Sequence, residues 1–141
     1  MFVTQKNQYA LKAIVELAKR AGSGPVKISE IARAQSIPPR FLEVILGQLK
    51  GSGFVASKRG YCGGYFLICR PETISVGHVL RFMQGPPERH SCAACVSRGA
   101  CPMEYDCAFA TMFNRASEAV FKIFDETTIQ DLVDSHTKGS S

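Results

Sequence analysis

The chain has 141 residues, 45% hydrophobic and 21% charged, with a formal net charge of +5. These totals suit one folded domain with its own core and exclude a charge-rich disordered chain. No apolar run reaches the roughly 18 residues of a membrane-spanning helix. The opening residues also lack the apolar centre of a signal peptide, so a cytoplasmic location is expected.

In chain order, a first helix is predicted from about Asn7 to Arg20, because Ala10, Leu11, Ile14, Leu17 and Ala18 recur at helical spacing. Gly22-Ser23-Gly24-Pro25 stops it. Val26-Lys27-Ile28 reads as a short extended piece, and Ser29 as the N-cap of a short second helix over Glu30–Ala34. Ser36-Ile37-Pro38 makes a turn. Pro39 then suits the first turn of a third helix reaching Lys50, with Phe41, Leu42, Ile45, Leu46 and Leu49 expected inward.

Phe54–Lys58 and Tyr65–Cys69 read as two strands joined by the glycine-rich loop Gly60-Tyr61-Cys62-Gly63-Gly64. Ser75 begins a fourth helix over Val76–Met83, which Gln84-Gly85-Pro86-Pro87 breaks. A loop rich in Cys, Pro and Gly follows over 86–106. A long helix is predicted from Cys107 to Glu126, striped by Phe109, Met112, Phe113, Ala116, Val120, Ile123 and Phe124. That stripe packs on its own domain or forms a dimer seam, and its length against so small a core favours the seam. Thr128 caps a last short helix, Ile129–Val133. The expected fold is mainly α with a small β-hairpin wing: a winged helix-turn-helix plus a long dimerisation helix. The corresponding units are 1–84, a cysteine-rich loop over 85–106, helices over 107–136 and a polar tail over 137–141.

The charge is uneven. Residues 1–70 carry a balance of +8 and residues 71–141 a balance of −3, the footprint of a chain whose first half faces a polyanion. In a helix-turn-helix, the second helix of the motif presents its N-terminal residues to base edges in the major groove. Here that helix carries Arg40, Glu43 and Lys50. Arg40 can donate two hydrogen bonds to guanine or bind phosphate, and Glu43 can accept from a cytosine amino group. Lys58, Arg59 and Tyr61 on the hairpin suit a minor groove or the backbone. Lys27, Ser29 and Arg33 can hold phosphates. The expected partner is double-stranded DNA.

Six cysteines are present, and four of them (Cys92, Cys95, Cys101 and Cys107) fall within 16 residues. In a cytosolic chain such a cluster binds metal or is redox-active more often than it forms disulfides. Five residues separate Cys95 from Cys101 and Cys101 from Cys107. Three thiolates on one loop suit zinc or the iron of a cluster, and the spacing is a poor match to paired zinc knuckles. Cys92 and Cys95 form a CxxC that also suits a redox pair. A helix starting at Cys107 would lower that thiol's pKa. Cys69 reads as packing and Cys62 as an exposed thiol. His78, His90 and His136 are scattered, and no paired carboxylates or nucleophile–base arrangement points to an enzyme. A small electron-transfer protein would leave the basic half without a role.

The helix-turn-helix, the Arg59-Gly60-x-x-Gly63-Gly64-Tyr65-x-Leu67 wing and the Cys95-x5-Cys101-x5-Cys107 loop, in that order, resemble the IscR/NsrR/RirA/CymR superfamily of small regulators over nearly the whole chain. The resemblance implies a homodimer with crossed long helices on a palindromic operator. It also implies a 2Fe–2S or 4Fe–4S cluster on each protomer, with Cys95, Cys101 and Cys107 as three ligands. Relatives supply a fourth ligand from a histidine three residues past the last cysteine, or from an aspartate of the partner's first helix. Those positions hold Ala110 and Gln8 here. Cys92, His90, a partner residue or an exogenous ligand remain open for that role. The resemblance leaves a cluster-free thiol or zinc sensor as the alternative regulator.

Overall fold

The computed structural model describes residues 3–84 and 108–138. Eight elements follow one another: α1 (Gln5–Lys19), α2 (Ile28–Gln35), α3 (Pro39–Leu49), β1 (Val55–Lys58), β2 (Gly64–Leu67), α4 (Val76–Gln84), α5 (Ala110–Glu126) and α6 (Ile129–Lys138). Short 3-10 turns over 50–52 and 71–73 join them.

α1 begins two residues before the expected Asn7, because Thr4 caps it: the Asn7 N–H donates to Thr4 Oγ1 at 3.2 Å. Ala10, Ala13, Ile14 and Leu17 recur on one face and are buried. Glu16 is buried beside them. It accepts from Arg20 Nε at 2.8 Å and from Gln35 Nε2 at 2.8 Å, so one carboxylate joins α1 to α2. Burial pushes its pKa up, but the hydrogen bonds from Gln35 and Arg20 and the nearby positive charges outweigh this, and its carboxyl sits below the usual value.

The expected Ser29 cap is corrected. α2 starts at Ile28, so Ser29 lies inside the helix and is exposed. The acidic residue of the first turn does the capping instead: Glu30 Oε2 accepts from the Lys27 N–H at 3.2 Å. Ser36 closes α2 in the left-handed conformation, φ 54° and ψ 46°, and turns the chain into α3.

α3 buries Leu42, Ile45, Leu46 and Leu49. Phe41, expected inward, is 62% exposed. It precedes Leu42 and so points about 100° away from it around the helix, off the buried stripe.

β1 and β2 pair antiparallel, with Val55 opposite Leu67 and Lys58 opposite Gly64. β1 starts one residue later than expected, and β2 starts one residue earlier and ends two residues earlier. The Ile68 N–H still donates to the Phe54 carbonyl at 2.8 Å, so the pairing continues beyond the strand ends. The hairpin is also tied to the start of α2. Val26 and Tyr65 exchange two N–H···O bonds of 2.8 Å. This approach needs Gly64, where a Cβ would lie 2.5 Å from the Val26 carbonyl carbon.

Ser75 caps α4 as expected: its Oγ accepts from the His78 N–H at 3.1 Å. α5 begins at Ala110, three residues after the expected Cys107, with a turn over 108–109. It buries no residue within the described chain. Its far end is held to α4, where Arg81 donates to both carboxylate oxygens of Asp125, one of these bonds at 2.9 Å. The Arg81 guanidinium also stacks 5.0 Å from the Phe121 ring centre. α4 presents the buried Gly77 at this point, where a Cβ would collide with the Asp125 carboxylate.

The chain then returns to the core. The Val76 N–H donates to Thr127 O and the Ile129 N–H to Ile74 O, each at 2.8 Å. Thr128 and Asp131 cap α6 reciprocally at 3.0 Å. α6 runs past the expected Val133 to Lys138, supported by the Gln130–Asp134 pair one turn apart. Ile129 is fully buried in the same cluster as Ile14, Leu42 and Val79.

Candidate nucleic-acid interface and cysteine segment

α2, the left-handed turn at Ser36 and α3 form a helix-turn-helix, and the β1–β2 hairpin follows it as a wing. Ile37 of the turn is buried, which fixes the two helices against each other. Arg40, Glu43 and Lys50 are all exposed on α3 or its end. Ser29 and Arg33 are exposed on α2, and Lys58 and Arg59 on the wing. Tyr61, at the wing tip, is 93% exposed. The structure brings two candidates together: Lys27 Nζ lies 5.3 Å from the centre of the Tyr61 ring, so the start of α2 touches the wing tip.

Three of the described arginines lie in ion pairs within the chain, and none of them is on the helix-turn-helix or wing tip. Arg20 pairs with Glu16, Arg70 with Glu72 and Arg81 with Asp125. Among the described residues, Arg33, Arg40, Lys50, Lys58 and Arg59 have no ion pair. Their charge is left for another molecule.

Sequence reasoning missed Val44, which is 60% exposed on α3. With Phe41 it forms an apolar step one turn apart on the outer side of the helix. The signal was present: a stripe of Leu42, Ile45, Leu46 and Leu49 leaves positions 41 and 44 outside it.

Cys62 is exposed on the wing. Cys69 is half-buried, and its thiol donates to the Gly53 carbonyl at 3.4 Å. Cys92, Cys95, Cys101, Cys107 and His90 lie outside the described residues. α5 starts at Ala110, three positions after Cys107 in the sequence. His78 serves as a capping residue of α4.

A compact helix-turn-helix with an adjoining wing and unpaired basic side chains defines a winged helix-turn-helix regulator. The comparisons narrow the class. Residues 3–135 match the Rrf2 family model, described as an iron-dependent transcriptional regulator. The transcriptional regulator CymR of Bacillus subtilis is 32% identical over 99% of this chain and 94% of its own length. The transcriptional regulator IscR of Aliivibrio salmonicida is 30% identical over 94% of this chain and 77% of its own. The solved structure of CymR, the global cysteine regulator of B. subtilis, is similar with a TM-score of 0.75 and 30% identity, covering 94% of this chain and 96% of that one. The chain belongs to the Rrf2 family of transcriptional regulators. Among its described residues, no helix is long and apolar enough to cross a membrane.

Proposed function

We propose that the chain is a cytoplasmic homodimer that binds a palindromic DNA operator, with its affinity set by an iron–sulfur cluster. The observation that carries the DNA reading is the group of exposed cations without ion pairs on the helix-turn-helix and wing, in the half of the chain whose charge balance is +8. Arg40 and Glu43 read base edges. Lys27, Ser29, Arg33 and Lys50 hold phosphates. Lys58, Arg59 and Tyr61 follow the adjacent groove or backbone. Residues 1–84 act as the DNA-binding unit.

The dimer reading is supported by α5, which buries no residue in the described chain and leaves Met112 54% and Ile123 63% exposed. A second copy of the helix covers such a stripe.

The cluster reading is supported by the donor set. Cys95, Cys101 and Cys107 offer three soft thiolates at even spacing, and thiolates suit iron. Cys92 is the weak candidate for the fourth ligand. When bound, the cluster supplies a centre that nitric oxide, oxygen or iron loss can damage. The chain's own residues carry the response. Ligation through Cys95, Cys101 and Cys107 couples the state of the cluster to the chain that leads into α5. α5 is clamped to α4 through Asp125 and Arg81, and the dimer's two recognition helices change spacing as α5 shifts. The two arrangements differ in how well they match two half-sites.

Cys101→Ala tests this. The variant should bind operator DNA differently from the iron-loaded wild type and should no longer respond to iron removal. Equal DNA binding by both in every iron state would overturn the cluster role. A second reading, a cluster-free thiol- or zinc-responsive regulator, is supported by the likeness to the B. subtilis cysteine regulator. It predicts a colourless protein holding zinc or a reversible disulfide.

A further inference from the structure

We infer that Phe41 and Val44 read thymine methyl groups in the major groove, which makes them specificity-determining residues alongside Arg40 and Glu43. This rests on the proposed DNA-binding role of α3. Both side chains stand outside the hydrophobic core and its partly buried fringe, 62% and 60% exposed. They lie one turn apart on one side of the helix.

Two exposed apolar residues at this spacing also suit a protein partner, and their surroundings decide between the two. Arg40 and Glu43 flank them, and neither has an ion pair among the described residues. An apolar protein surface would leave both charges desolvated and unpaired. The major groove supplies acceptors for Arg40, a cytosine amino group for Glu43 and the C5 methyl of thymine for an apolar side chain.

Gly47 points the same way. It sits one turn beyond Val44 in the interior of α3, where glycine weakens a helix. Nothing among the described residues requires it: a Cβ there meets none of their atoms within 4 Å. A glycine without an intramolecular reason fits a helix side that another molecule approaches closely. The outer side of α3 thus offers two apolar contacts and then a bare stretch of backbone.

The test is to enrich a duplex from a random DNA library with the full chain and then to replace each of its thymines by deoxyuridine in turn. This removes one methyl and keeps every hydrogen bond. Wild type should lose about fourfold in affinity for each methyl that is read. Val44→Ala or Phe41→Ala should bind the thymine and deoxyuridine duplexes equally at its own position. Both residues are exposed, so the variants should unfold at the wild-type temperature. A duplex that is enriched but indifferent to every deoxyuridine overturns the methyl reading alone. So does a thymine preference that survives both substitutions. If no duplex is enriched over random DNA, the proposed DNA-binding role falls and the inference falls with it.

Discussion

Gly47→Ala should move stability and DNA affinity in opposite directions. Within α3, alanine is better than glycine by about 0.8–1 kcal/mol, because glycine loses more backbone freedom on folding. The added methyl meets no atom of the described residues within 4 Å, so no collision with them offsets this gain. For a chain of this length, that corresponds to a rise of about 3 °C in the unfolding temperature. On the DNA side, the same methyl enters a closely packed contact. Overpacking a tight contact costs about 1–3 kcal/mol, so affinity should fall by about tenfold or more. Circular dichroism melting reads the first effect, and fluorescence anisotropy on an enriched duplex reads the second. A lower melting temperature would refute the open surroundings of Gly47. A higher melting temperature with unchanged DNA affinity would refute the placement of the outer side of α3 against the groove.

Gly64→Ala should act on the wing: the new Cβ meets the backbone of Val26, two Val26–Tyr65 hydrogen bonds are lost, and about 2–3 kcal/mol of stability goes with them. A urea titration should show the lower midpoint, and affinity should fall alike for all DNA sequences. Glu16 has a carboxyl pKa held below its ordinary value, so its contribution is present above the unfolded-state pKa and is lost as pH falls through the lower folded value. Glu16→Gln should cost about 1 kcal/mol at neutral pH, after allowance for the part-exposed Arg20, and should flatten the acid limb of a stability–pH curve; an unchanged limb would remove the Glu16 link between α1 and α2 from the account. Lys58→Ala should weaken binding to all duplexes and lower the salt slope by about one, whereas Arg40→Ala should relax base preference at one position. Gly77→Ala should push Asp125 off α4 and reduce the response of DNA affinity to iron more than the affinity itself, read by titrating one duplex with iron-loaded and iron-free protein.

Much of the fold was legible because its signals are local. The buried stripe of α3, the Gly22–Pro25 stop, the Ser75 cap and the glycine-rich hairpin loop each act within a few residues. The errors fell where a competing local group or a distant contact decides. Glu30 caps α2 from within its first turn, which displaced Ser29 from that role. Phe41 is apolar and adjacent to core residues, yet the phase of Leu42 and Ile45 turns it outward. The length of α6 depends on its return to α1 and on the short pairing of Ser75 with Thr128, which no local pattern announces. The basic residues of the candidate interface could be named from charge and position. That Arg33, Arg40, Lys50, Lys58 and Arg59 have no ion pair among the described residues, unlike Arg20 and Arg81, required the structure.

The central claim is that DNA affinity depends on a cluster held by Cys95, Cys101 and Cys107. Its most direct test is one titration of an enriched duplex with anaerobically purified protein, repeated on the same sample after iron is removed by a chelator. Iron, acid-labile sulfide and the visible spectrum are read on both samples. The account predicts a brown protein with matching iron and sulfide, whose affinity or operator choice changes when the colour is lost. A colourless protein that cannot be loaded with iron and sulfide, or a brown one whose DNA binding is the same before and after, would contradict it.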